Sequence, residues 1–199
     1  MTRRASLGAL AGLSATAMTG AAAAEGGAES TNPAGAARSG QPSSTDQGYT
    51  YVPPRGGTNY DWGSDHLFVK VSADDTNGAY TLIEDNLASS FALGLHVHRE
   101  HAETFYMLDG SVDFFIANEW ITVETGGTLH IPPGIPHAAM MTPGVARARM
   151  TMVFQPGGFD RFLAELDAMS AADRADKAKM KALNERYDFI PLGPVPKRT

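Results

Sequence analysis

The chain has 199 residues, of which 43% are hydrophobic, enough for one globular domain of ordinary core size. A formal net charge of −6 removes the electrostatic case for nucleic acid or an anionic membrane as a partner. There is no cysteine, which excludes disulfides, thiolate metal ligands and a cysteine nucleophile, so any metal site must use nitrogen and oxygen donors.

The N-terminus reads as a targeting segment. Thr2-Arg3-Arg4-Ala5-Ser6-Leu7 is followed by a weakly apolar Ala/Gly/Leu run reaching Ala21-Ala22-Ala23-Ala24. A basic start, a mild apolar stretch and small residues before a cut describe an export signal over residues 1–24. The paired arginines give it a twin-arginine character. Gly8, Gly12, Thr16, Thr19 and Gly20 dilute the run too much for a membrane anchor. The expectation is a mature chain starting near Glu25, located in the periplasm or outside the cell. Residues 25–48 are rich in Gly, Ser, Thr, Ala and Pro and read as a flexible linker.

From Tyr49 onward the text is strand-like, and residues 49–156 form the predicted barrel domain. Short apolar runs start at Leu67, Tyr80, Phe91, Thr104, Ser111, Trp120, Thr128 and Ala148. Turn signals separate them, among them Asp74-Asp75-Thr76-Asn77-Gly78, Asp109-Gly110, Asn118-Glu119, Gly126-Gly127 and Pro143-Gly144. Many short strands at this spacing argue a β-sandwich or a β-barrel. After Gln155-Pro156-Gly157-Gly158 the period changes. Phe159, Phe162, Leu163, Leu166 and Met169 recur at helical spacing. Ser170-Ala-Ala-Asp173 caps a second helix carrying Met180, Leu183 and Tyr187, and Pro191, Pro194 and Pro196 end it. Residues 157–199 are therefore expected as a helical extension that packs outside the barrel or supports a homodimer.

The chemistry is concentrated in His96-Val-His98, Glu103 and His137. On a strand successive side chains alternate faces, so His96 and His98 point the same way. The short polar stretch Arg99–Ala102 can turn the chain back so that Glu103 faces the same interior. His137 follows Ile131-Pro132-Pro133-Gly134-Ile135-Pro136, a rigid turn that sets where its imidazole points. Three imidazoles and one carboxylate suit a divalent first-row transition metal. Burying four ionisable groups for packing alone is costly, which weighs metal binding above a purely structural role. His101, in the turn, His130, beside Thr128 on one face, and His66 are read as non-ligating.

These residues closely resemble the two motifs of the cupin family. The first motif is Gly, His-x-His, Glu after four intervening residues, and Gly after six more. Here His96, His98, Glu103 and Gly110 match, with Ser90 in place of the opening Gly. The second motif is matched by Gly126, Pro132, Gly134 and His137, with Met141 where the family has Asn. The spacing selects Glu103 over Glu100. The tail, Pro156-Gly-Gly-Phe-Asp-Arg-Phe162 with a late Pro191-Leu-Gly-Pro194, is similar to single-domain bacterial cupins likened to quercetin 2,3-dioxygenase.

The resemblance implies an all-β double-stranded β-helix, the jelly-roll barrel, with C-terminal α-helices. It implies one divalent metal (Mn, Fe, Co, Ni, Cu or Zn) held by His96, His98, Glu103 and His137, with two coordination positions left for substrate or dioxygen. In the dioxygenases concerned the substrate hydroxyl binds as an anion and the Glu is the base. Carried over, Glu103 is the catalytic base toward a small aromatic or enolisable substrate. Phe105, Met107, Phe114, Met141, Met152 and Phe154 are candidates to line its pocket. The alternative is a metal-binding cupin without oxygenase activity, an isomerase or a ligand-binding module, since this barrel hosts many activities.

Overall fold

The structure, a computed structural model, describes residues 48–198. The predicted export signal, and the predicted linker up to its last residue, lie outside the described residues.

Eleven strands are described: β1 (Thr58–Asp61), β2 (Asp65–Val71), β3 (Thr81–Ala88), β4 (Ala92–Val97), β5 (Ala102–Asp109), β6 (Ser111–Ile116), β7 (Glu119–Glu124), β8 (Thr128–Ile131), β9 (His137–Met141), β10 (Arg147–Gln155) and β11 (Ile190–Gly193). They form two antiparallel sheets, ordered β1-β2-β3-β10-β5-β8 and β11-β4-β9-β6-β7. Consecutive strands repeatedly fall in different sheets, as β4 and β5 do, which is the jelly-roll arrangement. The sheets close over one lumen because alternate residues point inward. In β3 these are Thr81, Ile83, Asp85 and Leu87, and in β10 they are Ala148, Met150, Met152 and Phe154. Phe105 and Phe114 meet across the two sheets with ring centroids 4.8 Å apart.

The strands that alternation marks in the sequence are all present. Three others carry weaker signals. β1 and β11 are four residues long and lie at sheet edges, and β9 is His137-Ala-Ala-Met-Met141, buried nearly throughout, so it lacks alternation.

The C-terminal segment differs from its expected form. Helix α1 (Phe159–Ala168) buries Phe159, Phe162, Leu163 and Leu166. Its first turn is tied to the barrel, since Thr81 Oγ1 donates to Asp160 Oδ1 at 2.9 Å. The second helical stretch is two helices, α2 (Ala171–Ala175), capped by Ser170, and α3 (Lys177–Arg186), capped by Asp176. The chain then returns to the barrel as β11, which pairs with β4 in the register Ile190–Val97 and Pro191–His96. Pro191, expected only to stop a helix, sits in an edge strand, where a missing N–H is tolerated. The extension therefore completes a sheet rather than only lying on its outside.

Candidate metal centre

The four residues come from both sheets. His96 and His137 are cross-strand partners in β4 and β9, while Glu103, on β5, is level with Phe154 of β10 and Ile131 of β8. His98 lies just past the end of β4. All four are buried, and one nitrogen or oxygen from each lies within 4.8 Å of the others.

Orientation comes from the backbone. Nδ1–H of His96 donates to the Gly94 carbonyl at 2.8 Å, that of His98 to the Asp188 carbonyl at 2.7 Å, and that of His137 to the Ile135 carbonyl at 3.0 Å. A carbonyl only accepts, so in each neutral ring the proton sits on Nδ1 and Nε2 carries a lone pair. His137 is placed by its turn. Gly134 N–H donates to the His98 carbonyl at 2.6 Å, which joins the turn to the other ligand strand. Gly134 adopts φ +82°, a left-handed conformation that glycine takes without strain.

The inward-facing atoms lack satisfaction from the protein. His98 Nε2, His137 Nε2 and Glu103 Oε2 are buried with no hydrogen-bond partner among the described residues. His137 Nε2 approaches Glu103 Oε2 to 2.6 Å, and His98 Nε2 approaches it to 3.5 Å. Two lone pairs at 2.6 Å repel unless a cation, either a proton or a metal ion, lies between them. Buried orphan donors of N and O type, with rings already in the metal-facing tautomer, fit a divalent ion.

The charges follow from this crowding. Burial, reinforced by the charge of His137, pushes His96 down to about 3, so it is neutral at physiological pH. Burial likewise lowers His98 against the pull of Glu103. Burial alone would raise Glu103, but the three histidines, His98 foremost, outweigh it and hold the carboxyl at about 2. His137 is raised, because the adjacent Glu103 carboxylate outweighs the effect of burial.

Around the site the walls are apolar. Phe189 stacks on His96 at 4.5 Å between centroids, and Phe154 and Phe159 stack on each other at 3.9 Å beside His98. The cavity that the ligands line has a volume of ≈ 40 Å³, room for a few waters. Of the six residues expected in a substrate pocket, Phe105, Phe114, Met152 and Phe154 line it; Met107 and Met141 are buried core. Met141 thus packs apolar surface where the family motif has an amide.

The other candidates are placed elsewhere. His101 Nδ1 lies 3.0 Å from Asp188 Oδ2, His130 Nδ1 lies 2.8 Å from Thr104 Oγ1, and His66 stacks on Phe68. Glu100 is exposed. Asp188 is the residue that sequence reasoning missed. Its carbonyl orients His98, while its carboxylate accepts N–H bonds from Arg99, Glu100 and His101 at 2.8, 2.7 and 3.1 Å. Its φ of 56° is the left-handed conformation that Asp tolerates better than most residues. The only local signal is an Asp one residue beyond the C-cap of a helix.

Residues 87–154 match the cupin domain family. No curated protein matches the chain in sequence. Among solved structures it is similar to KdgF from Halomonas sp., with 12% identity over 56% of this chain and 99% of that one and a TM-score of 0.49. It is also similar to the nucleoside dehydratase Pac13 from Streptomyces, with 11% identity over 73% and 92% and a TM-score of 0.49. The polyketide cyclase RemF from Streptomyces resistomycificus shares 22% identity over 47% and 66% with a TM-score of 0.42. At these identities and scores they bear on neither reaction nor substrate.

Proposed function

We propose that the chain is a metal-dependent oxygenase of the quercetin 2,3-dioxygenase type, acting on a small enolisable or phenolic substrate. The observation that carries this reading is the convergence of His96, His98, His137 and Glu103 in an apolar lumen, with His98 Nε2, His137 Nε2 and Glu103 Oε2 buried and without hydrogen-bond partners among the described residues. A bound divalent ion would supply Lewis acidity toward a substrate hydroxyl and a place for dioxygen.

The residues do the rest. His96, His98 and His137 hold their geometry through backbone carbonyls, so it need not be organised during reaction. Glu103 is ionised at neutral pH and can accept the hydroxyl proton. Phe154, Phe159 and Phe189 keep bulk water from the reacting oxygens. The cavity is narrow, so an aromatic substrate enters only as the surrounding side chains move aside. That same constriction supports the second reading, a metal-binding cupin that isomerises or retains a small ligand.

The test is dioxygen uptake by metal-loaded protein with a flavonol, a catechol and a small 1,3-diketone. Stoichiometric uptake with any of them is expected; binding without uptake selects the second reading.

A further inference from the structure

The lumen holds two more carboxyls that the proposed chemistry does not use. Asp65 begins β2 and Asp85 lies in β3; both are 2% exposed, and both line the cavity that holds the four candidate ligands. The β2–β3 register pairs Asp65 with Leu87 and Leu67 with Asp85. The two acids are therefore diagonal neighbours on one face, about 7–8 Å apart at the backbone. Inward alternation along β3 directs Asp85 into the lumen.

Their satisfaction differs. Burial raises Asp65 above the ordinary aspartate value, and Ser64 Oγ–H, donating to Asp65 Oδ1 at 2.6 Å, partly offsets that rise. Asp85 Oδ1 is buried with no hydrogen-bond partner among the described residues. A charge on one of two neighbouring carboxyls in an apolar lumen opposes ionisation of the other. Burial first, and the Asp65 charge second, push Asp85 well above the ordinary aspartate value. This favours the carboxylic acid form of Asp85, which has an O–H to donate. A leucine here would avoid burying a carboxyl with one oxygen unsatisfied, so apolar packing alone gives no use for the acid.

The acid is far from the metal ligands but in the same lumen. On β10, Asp85 is level with Met150 and Glu103 with Phe154. Four residues of strand separate those levels, about 13 Å at ~3.3 Å per residue. The cavity of ≈ 40 Å³ must widen to admit a ligand of that length; Met150 and Met152 line the intervening wall, and their unbranched thioethers can repack to do so.

We propose that Asp85, backed by Asp65, is a second polar anchor, donating a hydrogen bond to an uncharged carbonyl oxygen of a ligand whose vicinal oxygens sit at the His96/His98/Glu103/His137 centre. The inference rests on the metal-centre reading of that site. The ligand class is an elongated, mostly apolar molecule with a chelating oxygen pair at one end and a carbonyl at the other. A charge on Asp65 opposes ionisation of Asp85 and disfavours a carboxylate at the ligand's far end.

The test compares two catechols of matched length, 4-propylcatechol and 3,4-dihydroxycinnamaldehyde, binding to Co²⁺-loaded protein. The preference for the aldehyde is expected to be about tenfold greater in the parent than in Asp85→Leu, the value of one buried hydrogen bond. Asp85→Asn, whose amide still donates, is expected in between, and it carries the comparison if the leucine variant does not fold. His137→Ala should abolish binding of both catechols; retention there overturns the metal-centre reading, while the aldehyde preference still reports on Asp85. An unchanged preference in the Asp85 variants, or no binding of either catechol by the loaded parent, overturns the anchor.

Discussion

Backbone carbonyls at Gly94, Ile135 and Asp188 turn three histidines into lone-pair donors aimed at one point. At this scale His96→Ala or His137→Ala should abolish stoichiometric metal, whereas His101→Ala and His130→Ala should retain it, measured by elemental analysis of dialysed protein. Glu103→Gln should lose turnover by at least ~10²-fold while losing less metal, because the amide oxygen still coordinates but takes no proton. The raised His137 implies that its proton must leave before a metal ion binds. Affinity should therefore rise with pH until His137 is neutral and then level off, with proton release visible in calorimetry across buffers of different ionisation enthalpy. Asp85 gives a stability prediction of its own. Its folded value lies above its unfolded one, so its contribution is fully present at acid pH below the unfolded value and is lost as pH rises through the folded value. Asp85→Asn should therefore melt above the parent at neutral pH, and the gap should close in acid.

The element that matters most beyond the ligand strands is the α3–β11 junction. Phe189 covers His96, and Asp188 clamps both His98 and the Arg99–His101 turn, so the end of the chain shapes the centre of the barrel. Asp188→Ala removes the acceptor of three N–H groups and should destabilise the fold by on the order of 2 kcal/mol. It should also weaken metal binding about tenfold, as the loss of support for a ligand does. Asp188→Asn, which keeps an acceptor and tolerates the left-handed backbone, should lose much less; equal losses in the two variants would show that the carboxylate has no such role. This junction was illegible in the sequence. The pairing of Pro191 with His96 spans most of the domain, and four residues with a proline carry almost no strand signal.

At the scale of the whole molecule, the N-terminal proposal bears on which metal is found. A site of nitrogen and oxygen donors does not choose by affinity, since copper and zinc outcompete most rivals where they are free. A twin-arginine route carries folded chains, so we propose that metal is loaded in the cytoplasm and the protein is exported already occupied. Replacing both Arg3 and Arg4 by Lys should strand the chain inside the cell. Fractionation finding the double variant exported as before, or a mature chain retaining residues 1–24, would overturn that proposal.

The sequence by itself determined a domain of many short strands and the identities of the candidate ligands, because both depend on short-range rules, while the choice of barrel over sandwich rested on the resemblance of the two motifs. Alternation marks an inward face strand by strand, and His-x-His places two rings on that face without knowledge of any partner strand. Long-range register decided the rest. Only the folded chain shows that His137 pairs opposite His96, and that Nε2 rather than Nδ1 faces the centre. Likewise only the fold reveals that Asp188 reaches back to His98 across the length of the domain. The same holds for Asp65 and Asp85, unremarkable acids in the text, which strand pairing brings together inside an apolar lumen. Burial changes what such residues are chemically, and burial is a property of neighbours that are distant in sequence.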